Sequence, residues 1–453
     1  MKKIKPFQLQ SKYSPAGDQP RVIKDMTDSI KGGRREQTIL GATGTGKTFM
    51  MASIVNNLQK PTLVIAHNKT LAAQLAEEFK QFFPNNAVHY FVSYYDYYQP
   101  ESYLPRSDTF IEKQTQINEE IERLRNATTQ SLLTRKDVLI VASVSCIYGI
   151  GNPEDFEALK IELEVGGKYK LDKIARRLID LQFVRTNMDL KRGYFRLRGD
   201  IMEIYPANED NIGYRLSFFG DELEEIQRFS IITNEGVGEN FDYTESVIQS
   251  EALKDTESDE DKFSKVNWGA DNDSMMQSYT IFPAKQYVTT REKIQAGIKK
   301  IEADMHEQID KFHNEGKLLQ AQRLKDRTMN DIEMLDQMGF CSGIENYSSY
   351  FDGRTDGEAP TTLLDYFPDD SLCFIDESHI TLPQIGAMYH GDRSRKTTLV
   401  EYGFRLPAAM NNRPLQKKEF FNKVSQMIYV SATPGDWELG NGDFEEEDDL
   451  VEN

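Results

Sequence analysis

Cysteine is scarce: Cys146, Cys341 and Cys373 are the only three in 453 residues, and they show neither a pairing pattern nor metal-ligand spacing. That excludes a disulfide scaffold and a cysteine-bound metal and fits ordinary buried thiols in a reducing compartment. Missing too is any apolar run near the roughly 20 residues that a membrane helix needs. The basic start MKKIKPFQLQ leads into no apolar stretch, so no secretory signal is expected and a cytoplasmic protein is. Nor is there an excess of positive charge. Fifty-four Lys and Arg face 73 Asp and Glu, a formal net charge of -19, which argues against nonspecific coating of nucleic acid. The acidity is uneven, concentrated in Glu251 to Asp261 and Asp443 to Glu452, so a local DNA groove remains open.

What is present is the balance of a soluble globular protein, 39% hydrophobic and 28% charged, long enough for about three domains and a sizeable core. Five short apolar runs read as buried strands: Gln37 to Leu40, Thr62 to Ala66, Val138 to Ala142, Leu372 to Asp376 and Met427 to Ser431. With helical stretches such as Thr70 to Phe82 between them, they imply an α/β fold, a parallel sheet covered by helices. Residues Pro153 to Val247 mix helix with alternating strands, including Tyr194 to Arg198 and Ile201 to Tyr205. Thr290 to Met338 is charged and periodic and predicts one or two long helices. Thr233 to Gln277 is polar and acidic and predicts a flexible excursion.

Gly41-Ala-Thr-Gly-Thr-Gly-Lys47-Thr48 matches G-x-x-x-x-G-K-[ST] between a strand and a helix, the context that a phosphate-binding loop requires. Gly41, Thr43, Gly44, Thr45 and Gly46 let backbone N–H groups converge on phosphate, Lys47 neutralises the β- and γ-phosphates, and Thr48 offers a hydroxyl to magnesium. The competing reading is a plain glycine-rich turn. Such a loop needs an acidic group at the end of another strand, and Phe374-Ile-Asp376-Glu377-Ser-His379 supplies it. Asp376 is the candidate magnesium ligand and Glu377 the group that polarises the attacking water. The D-E-x-H form with Ser431-Ala-Thr433 points to a superfamily-2 helicase pattern, a RecA-like P-loop core using ATP and Mg2+. Gln19, ahead of the loop, can donate and accept at an adenine edge.

More than three hundred residues separate Lys47 from Asp376, so whole modules are inserted in the core. Phe91 to Lys113 is one, rich in tyrosine. Tyrosine faces stack on single-stranded bases with little sequence preference; they also suit ordinary strand packing.

The run Tyr94-Tyr95-Asp96-Tyr97-Tyr98-Gln99-Pro100-Glu101 resembles the β-hairpin of the UvrB family of bacterial excision repair. Ser143 to Gly149, Gly343 to Tyr347, Gly391 to Lys396 and Tyr402 to Pro407 are similar to family segments as well, and the resemblance extends to Pro434. It implies that Tyr94, Tyr95, Tyr97, Tyr98 and Tyr103 contact damaged DNA or its displaced strand. It implies also that residues 153–250 dock onto UvrA through Arg185, Arg196 and Arg198, and that the DNA is handed to UvrC. Solvated strand arginines are the plainer reading of those three.

The expected organisation is therefore a motor domain over 1–90, 117–152 and 360–435, and a hairpin and helical subdomain over 91–116 and 285–359. A UvrA-interaction domain over 153–250, an acidic flexible connection over 251–284 and an acidic tail over 436–453 complete it. Two departures from the family stand out. The 233–277 connection is longer and more acidic, and after Gly435 the sequence turns acidic where the family continues with a second motor domain and a segment contacting UvrA and UvrC. The expectation from that is weak nucleotide binding and slow turnover. Rival readings are a nonhydrolysing UvrA-docking and DNA-binding module, and a helicase or translocase.

Overall fold

A computed structural model describes residues 5–42, 44–238 and 274–440. The chain divides into two compact units, residues 1–152 with 292–453, and residues 153–291.

In the first unit six strands form one parallel sheet. Their spatial order is Glu36–Leu40, Gln426–Ser431, Leu372–Asp376, Thr62–Ala66, Val138–Ser143 and Ala87–Phe91. Four of these strands are buried almost throughout, which is why they read as unbroken apolar runs: helices cover both faces and no side is left for polar residues. Two apolar clusters fill the two faces. Ile65, Ile140, Ile375 and Met427 belong to one, and Val64, Val141, Phe374 and Ile428 to the other. The sixth strand, Ala-Val-His-Tyr-Phe, was not among the expected runs. It lies at the sheet edge with His89 and Tyr90 only half-buried, and edge strands tolerate polar residues.

The parallel arrangement brings the carboxyl ends of three adjacent strands together, the ones ending at Leu40, Ser431 and Asp376, which is where open α/β sheets hold ligands. Beyond the edge strand the tyrosine-rich segment folds back as an antiparallel hairpin. Tyr95–Gln99 pairs with Gln114–Ile117, with a register irregularity between Tyr95 and Tyr97, and Ser102–Leu104 pairs with Thr109–Ile111. The charged stretch forms two helices, Arg291–Asn314 and Leu318–Met338. Each buries one apolar stripe, Ile294, Ile298, Ile301 and Met305 in the first and Ala321, Leu324, Ile332 and Leu335 in the second.

The second unit is built on a six-stranded sheet. Its order is Val184–Arg185, Tyr194–Arg198, Ile201–Tyr205, Ile212–Phe219, Glu222–Ser230 and Met275–Met276, antiparallel except for the first pair. The amphipathic helix Leu171–Asp180 adds Ile174 and Leu178 to the core formed by Phe195, Met202, Ile204 and Leu216. The described residues 274–291 also belong to this unit, past the expected boundary at 250 and within the stretch expected as the connection 251–284. The physical reason is strand pairing: Met275–Met276 joins the large sheet and Ser278–Ile281 pairs with Ile161–Glu164. The expected flexible stretch 233–277 is thus ordered at both ends, with the Val237 N–H donating to the Arg228 carbonyl at 2.9 Å; residues 239–273 lie outside the described residues. Among the described residues no helix is long and apolar enough to cross a membrane.

Candidate functional site

The glycine loop leaves the strand Glu36–Leu40 and enters the helix Lys47–Leu58 through Gly46, which caps it at φ +78°, after Gly44 at φ +81°. Both lie in the left-handed region that side chains disfavour. Space adds to the requirement at Gly46, where a Cβ would sit 2.8 Å from Gln19 Nε2. Gln19 itself braces the loop: its Oε1 accepts from the Ala16 N–H at 3.0 Å and its Nε2 donates to the Thr45 carbonyl at 2.8 Å. The Thr45 hydroxyl donates to Ala42 O at 2.7 Å, and the Gly41 N–H is anchored on Ser431 O at 3.1 Å. Thr48 lies half-buried in the first turn of the helix. Thr43 falls outside the described residues.

Opposite the loop, Lys47 Nζ donates to Glu377 Oε1 at 2.8 Å. Asp376 is 4% exposed, and burial, reinforced by the neighbouring Glu377 and opposed by Lys47, lifts its carboxyl to about 6. A dry carboxylate of this kind is short of positive charge, and a hard divalent cation supplies it. Among the described residues no group of three or more His, Cys, Asp or Glu could hold a metal alone. Magnesium bound through phosphates needs only one or two protein ligands, so Thr48 and Asp376 fit it.

Glu377 has φ +44°, a left-handed conformation for a residue with a side chain. It caps the helix Ser378–Glu401, and Thr381 holds the turn by donating its hydroxyl to Asp376 O at 2.7 Å. At the second residue of this helix, His379 Nδ1 is 2.8 Å from Ser431 Oγ and 3.7 Å from Glu377 Oε2, while Ser431 Oγ accepts from the Thr433 N–H at 3.0 Å. The His379 imidazole thereby lies between Glu377 and the Ser-Ala-Thr segment. Sequence reading placed residues from 436 onward in an acidic tail, but Trp437 and Glu438 are packed into this unit. Glu438 is 8% exposed and bonds Ser378, and the Trp437 ring packs at a tilt against Phe421 with centres 5.1 Å apart. Acidic composition concealed them; the aromatic beside the carboxylate was the available signal.

The five tyrosines fall into three environments. Tyr97 and Tyr98 are 51% and 50% exposed, and the Tyr98 ring stacks on Tyr95 at 5.0 Å. Tyr94 and Tyr95 share a hydroxyl contact of 3.0 Å, and the Tyr94 ring faces the buried Arg125, whose guanidinium also lies 3.9 Å from the Phe91 ring centre and donates to Val92 O at 2.8 Å. Tyr103 is buried instead, between Tyr402 and Phe404 at 4.8 and 4.9 Å, with its hydroxyl donating to Asp108 at 2.6 Å. It supports the hairpin and offers no free face. Glu101 roots the hairpin: Arg405 Nε donates to its Oε2 at 2.8 Å, Arg327 lies 3.1 Å from its Oε1, and Arg395 donates to its carbonyl at 2.7 Å. Lys113 closes the other strand onto Glu345 at 2.8 Å. These carboxylates and arginines were missed because no short local pattern marks them, unlike the glycine loop and the Asp-Glu pair.

In the second unit Arg185 and Arg198 are exposed, whereas Arg196 is half-buried and ion-paired to Glu203. Glu203 is simultaneously held by the fully buried Arg215 at 2.8 Å, and Arg215 continues to Gln227 and Asn234. Arg196 is therefore fixed in orientation.

Most of the chain is similar to known proteins. Residues 292–353 match the UvrB third helical domain, residues 161–245 the UvrB interaction domain, and residues 12–142 the res subunit of type III restriction enzymes. UvrABC system protein B of Streptococcus gordonii is 51% identical over 432 residues, 95% of this chain and 60% of that protein. The Streptococcus sanguinis protein of the same name is 50% identical over 95% of this chain, and the one from Streptococcus pyogenes serotype M18 is 50% identical over 96%. The chain spans about 60% of the length of these curated relatives.

Proposed function

The chain belongs, along the length it spans, to the UvrB family, and from that premise we propose that it is the ATP- and DNA-binding subunit of a bacterial excision-repair nuclease. Its tyrosine hairpin tests the strand for damage, receiving DNA from UvrA and presenting it to UvrC. The observation that carries this reading is the coexistence, in one unit, of the Lys47–Glu377 pair at a glycine loop and two half-exposed tyrosines on a braced hairpin.

In this reading the N–H groups at the start of the helix Lys47–Leu58 bind the phosphates, and Lys47 leaves Glu377 for the γ-phosphate. Glu377, released, orients the attacking water and accepts its proton. Magnesium, when bound at Thr48 and Asp376, neutralises charge on the transferring phosphates. Tyr97 and Tyr98 stack on unpaired bases, and Arg185 and Arg198 provide a basic face for an acidic partner patch. A cytoplasmic location follows from the substrate.

Steady-state ATP hydrolysis by the purified chain, with and without UvrA and lesion-containing DNA, tests the proposal. Turnover that UvrA and damaged DNA stimulate, and that Lys47→Ala abolishes, is the expected result. Turnover unchanged in Lys47→Ala would remove the glycine loop from the reaction and with it this reading.

A further inference from the structure

We propose that Glu438 is a positioning residue for ATP hydrolysis, the strut that fixes the orientation of Glu377 without touching nucleotide; this rests on the ATPase reading above. Its buried carboxylate reaches two segments that end at the nucleotide site, and its backbone reaches a third. Oε1 accepts from the Ser378 hydroxyl at 2.7 Å, directly after Glu377. Oε2 accepts from the Gly435 N–H at 3.0 Å, two residues beyond Thr433. The Glu438 carbonyl accepts from the Thr38 hydroxyl at 2.6 Å, on the strand that feeds the glycine loop. Ser378 is fully buried and Glu438 nearly so, so solvent does not offer replacement partners at equal strength.

The need for such a strut comes from Glu377. Its left-handed backbone at φ +44° is strained and persists only where neighbours over-determine it. Thr381 holds the carbonyl side of that turn through Asp376 O and Glu377 O. On the following residue, Glu438 holds the side chain of Ser378, the first residue of the helix. Without the carboxylate, Ser378 and the Gly435 N–H lose their buried acceptor together. The turn is then free to relax toward ordinary backbone angles, carrying the Glu377 carboxylate away from the attacking water. Ground-state contacts to phosphate come from the loop and Lys47 and do not pass through this strut. Loss of Glu438 therefore weakens the transition-state geometry more than nucleotide binding, and a misplacement near 1 Å is worth on the order of a hundredfold in rate.

The parent chain, Glu438→Ala and Glu438→Gln are compared in equilibrium binding of magnesium-ADP with and without aluminium fluoride, a mimic of the planar γ-phosphoryl group, and in ATP turnover. Glutamine retains the shape and remakes both bonds, its oxygen accepting from Gly435 and its amide donating to Ser378 Oγ. The expected result is magnesium-ADP affinity within about twofold in all three. Tightening by aluminium fluoride, and kcat, should fall by roughly ten- to a hundredfold in Glu438→Ala and return to within about threefold in Glu438→Gln, with KM little changed. Tightening and kcat in Glu438→Ala equal to those of the parent would overturn the proposal, as would a parallel loss of ADP binding, which marks a merely structural contact. A parent chain that binds no nucleotide defeats the functional reading itself, and that result is distinguishable because it appears before any substitution.

Discussion

At the nucleotide loop the glycine turn, Asp376 and Ser431 sit at or just beyond the ends of three neighbouring strands that the sheet aligns, whereas at the root of the tyrosine hairpin Glu101 meets Arg405 from outside that sheet. The first region is shaped by backbone: glycines at positive φ, a helix start, and strand ends that the parallel sheet aligns by itself. The second is held by buried ion pairs and packed rings from elements brought together only by the finished fold. The difference teaches that a site made from main-chain geometry carries its own address in the sequence, while a site held by side-chain pairs does not. It also predicts different failure modes, lost chemistry with intact folding in the first and lost order in the second.

The largest effect that sharpens this contrast is Lys47→Ala. Removing the cation that the proposal assigns to the γ-phosphate should lower ATP turnover by at least about a hundredfold, while the midpoint of urea unfolding should fall less than at the hairpin root, because the Lys47–Glu377 side chains keep 13% and 25% exposure against 5% and 7% for Arg405 and Glu101. Arg405→Ala is the counterpart at the hairpin. It leaves buried Glu101 with Arg327 as its remaining arginine and removes the guanidinium that lies 3.7 Å from Asp331, and we expect a loss of roughly 3–5 kcal/mol in chemical denaturation. A loss below about 1 kcal/mol would erase the distinction between the regions.

Asp376→Asn separates stability from function within the first region. The folded carboxyl keeps its proton to about pH 6, whereas an unperturbed one near 3.8 has released it. The folded state therefore binds more protons between these values, and the contribution of this group to stability falls as pH rises from about 4 to 6 and stays low above. The asparagine variant should flatten that fall and gain up to roughly 3 kcal/mol at pH 7. It should also cease to respond to magnesium, and in the parent magnesium-dependent nucleotide binding should weaken below about pH 6. A variant no more stable at pH 7 than the parent would mean that Asp376 is not the strained acid.

The smallest stability effect is expected at Tyr97 and Tyr98. Each exposes half its surface, so alanine there should change the unfolding midpoint little, while Tyr103→Ala, which empties the space between Tyr402 and Phe404, should cost about 3–5 kcal/mol.

Legibility in the sequence follows the same division. The parallel sheet could be read because strands buried on both faces are continuous apolar runs, and Ala87–Phe91 escaped because an edge strand admits His89 and Tyr90. Gly44, Gly46, Lys47, Asp376 and Glu377 sit in short patterns with a backbone cause. The placement of Tyr103 did not follow from its neighbours Tyr97 and Tyr98, since what buries it, Tyr402 and Phe404, lies some three hundred residues on. Glu438 was hidden by an acidic run, where composition says nothing about which carboxylate turns inward. Strand pairing of Met275–Met276 and Ser278–Ile281 moved the boundary of the inserted unit for a similar reason: a partner across a long excursion leaves no local mark.

The most direct test of the central claim, that the hairpin handles DNA through its two open tyrosines while the loop handles nucleotide, is UvrA-dependent loading onto lesion-containing DNA measured together with ATP binding. The account predicts that Tyr97→Ala with Tyr98→Ala weakens retention on DNA by about 1–3 kcal/mol per lost stack and leaves ATP affinity within about twofold. Retention equal to that of the parent chain would contradict it.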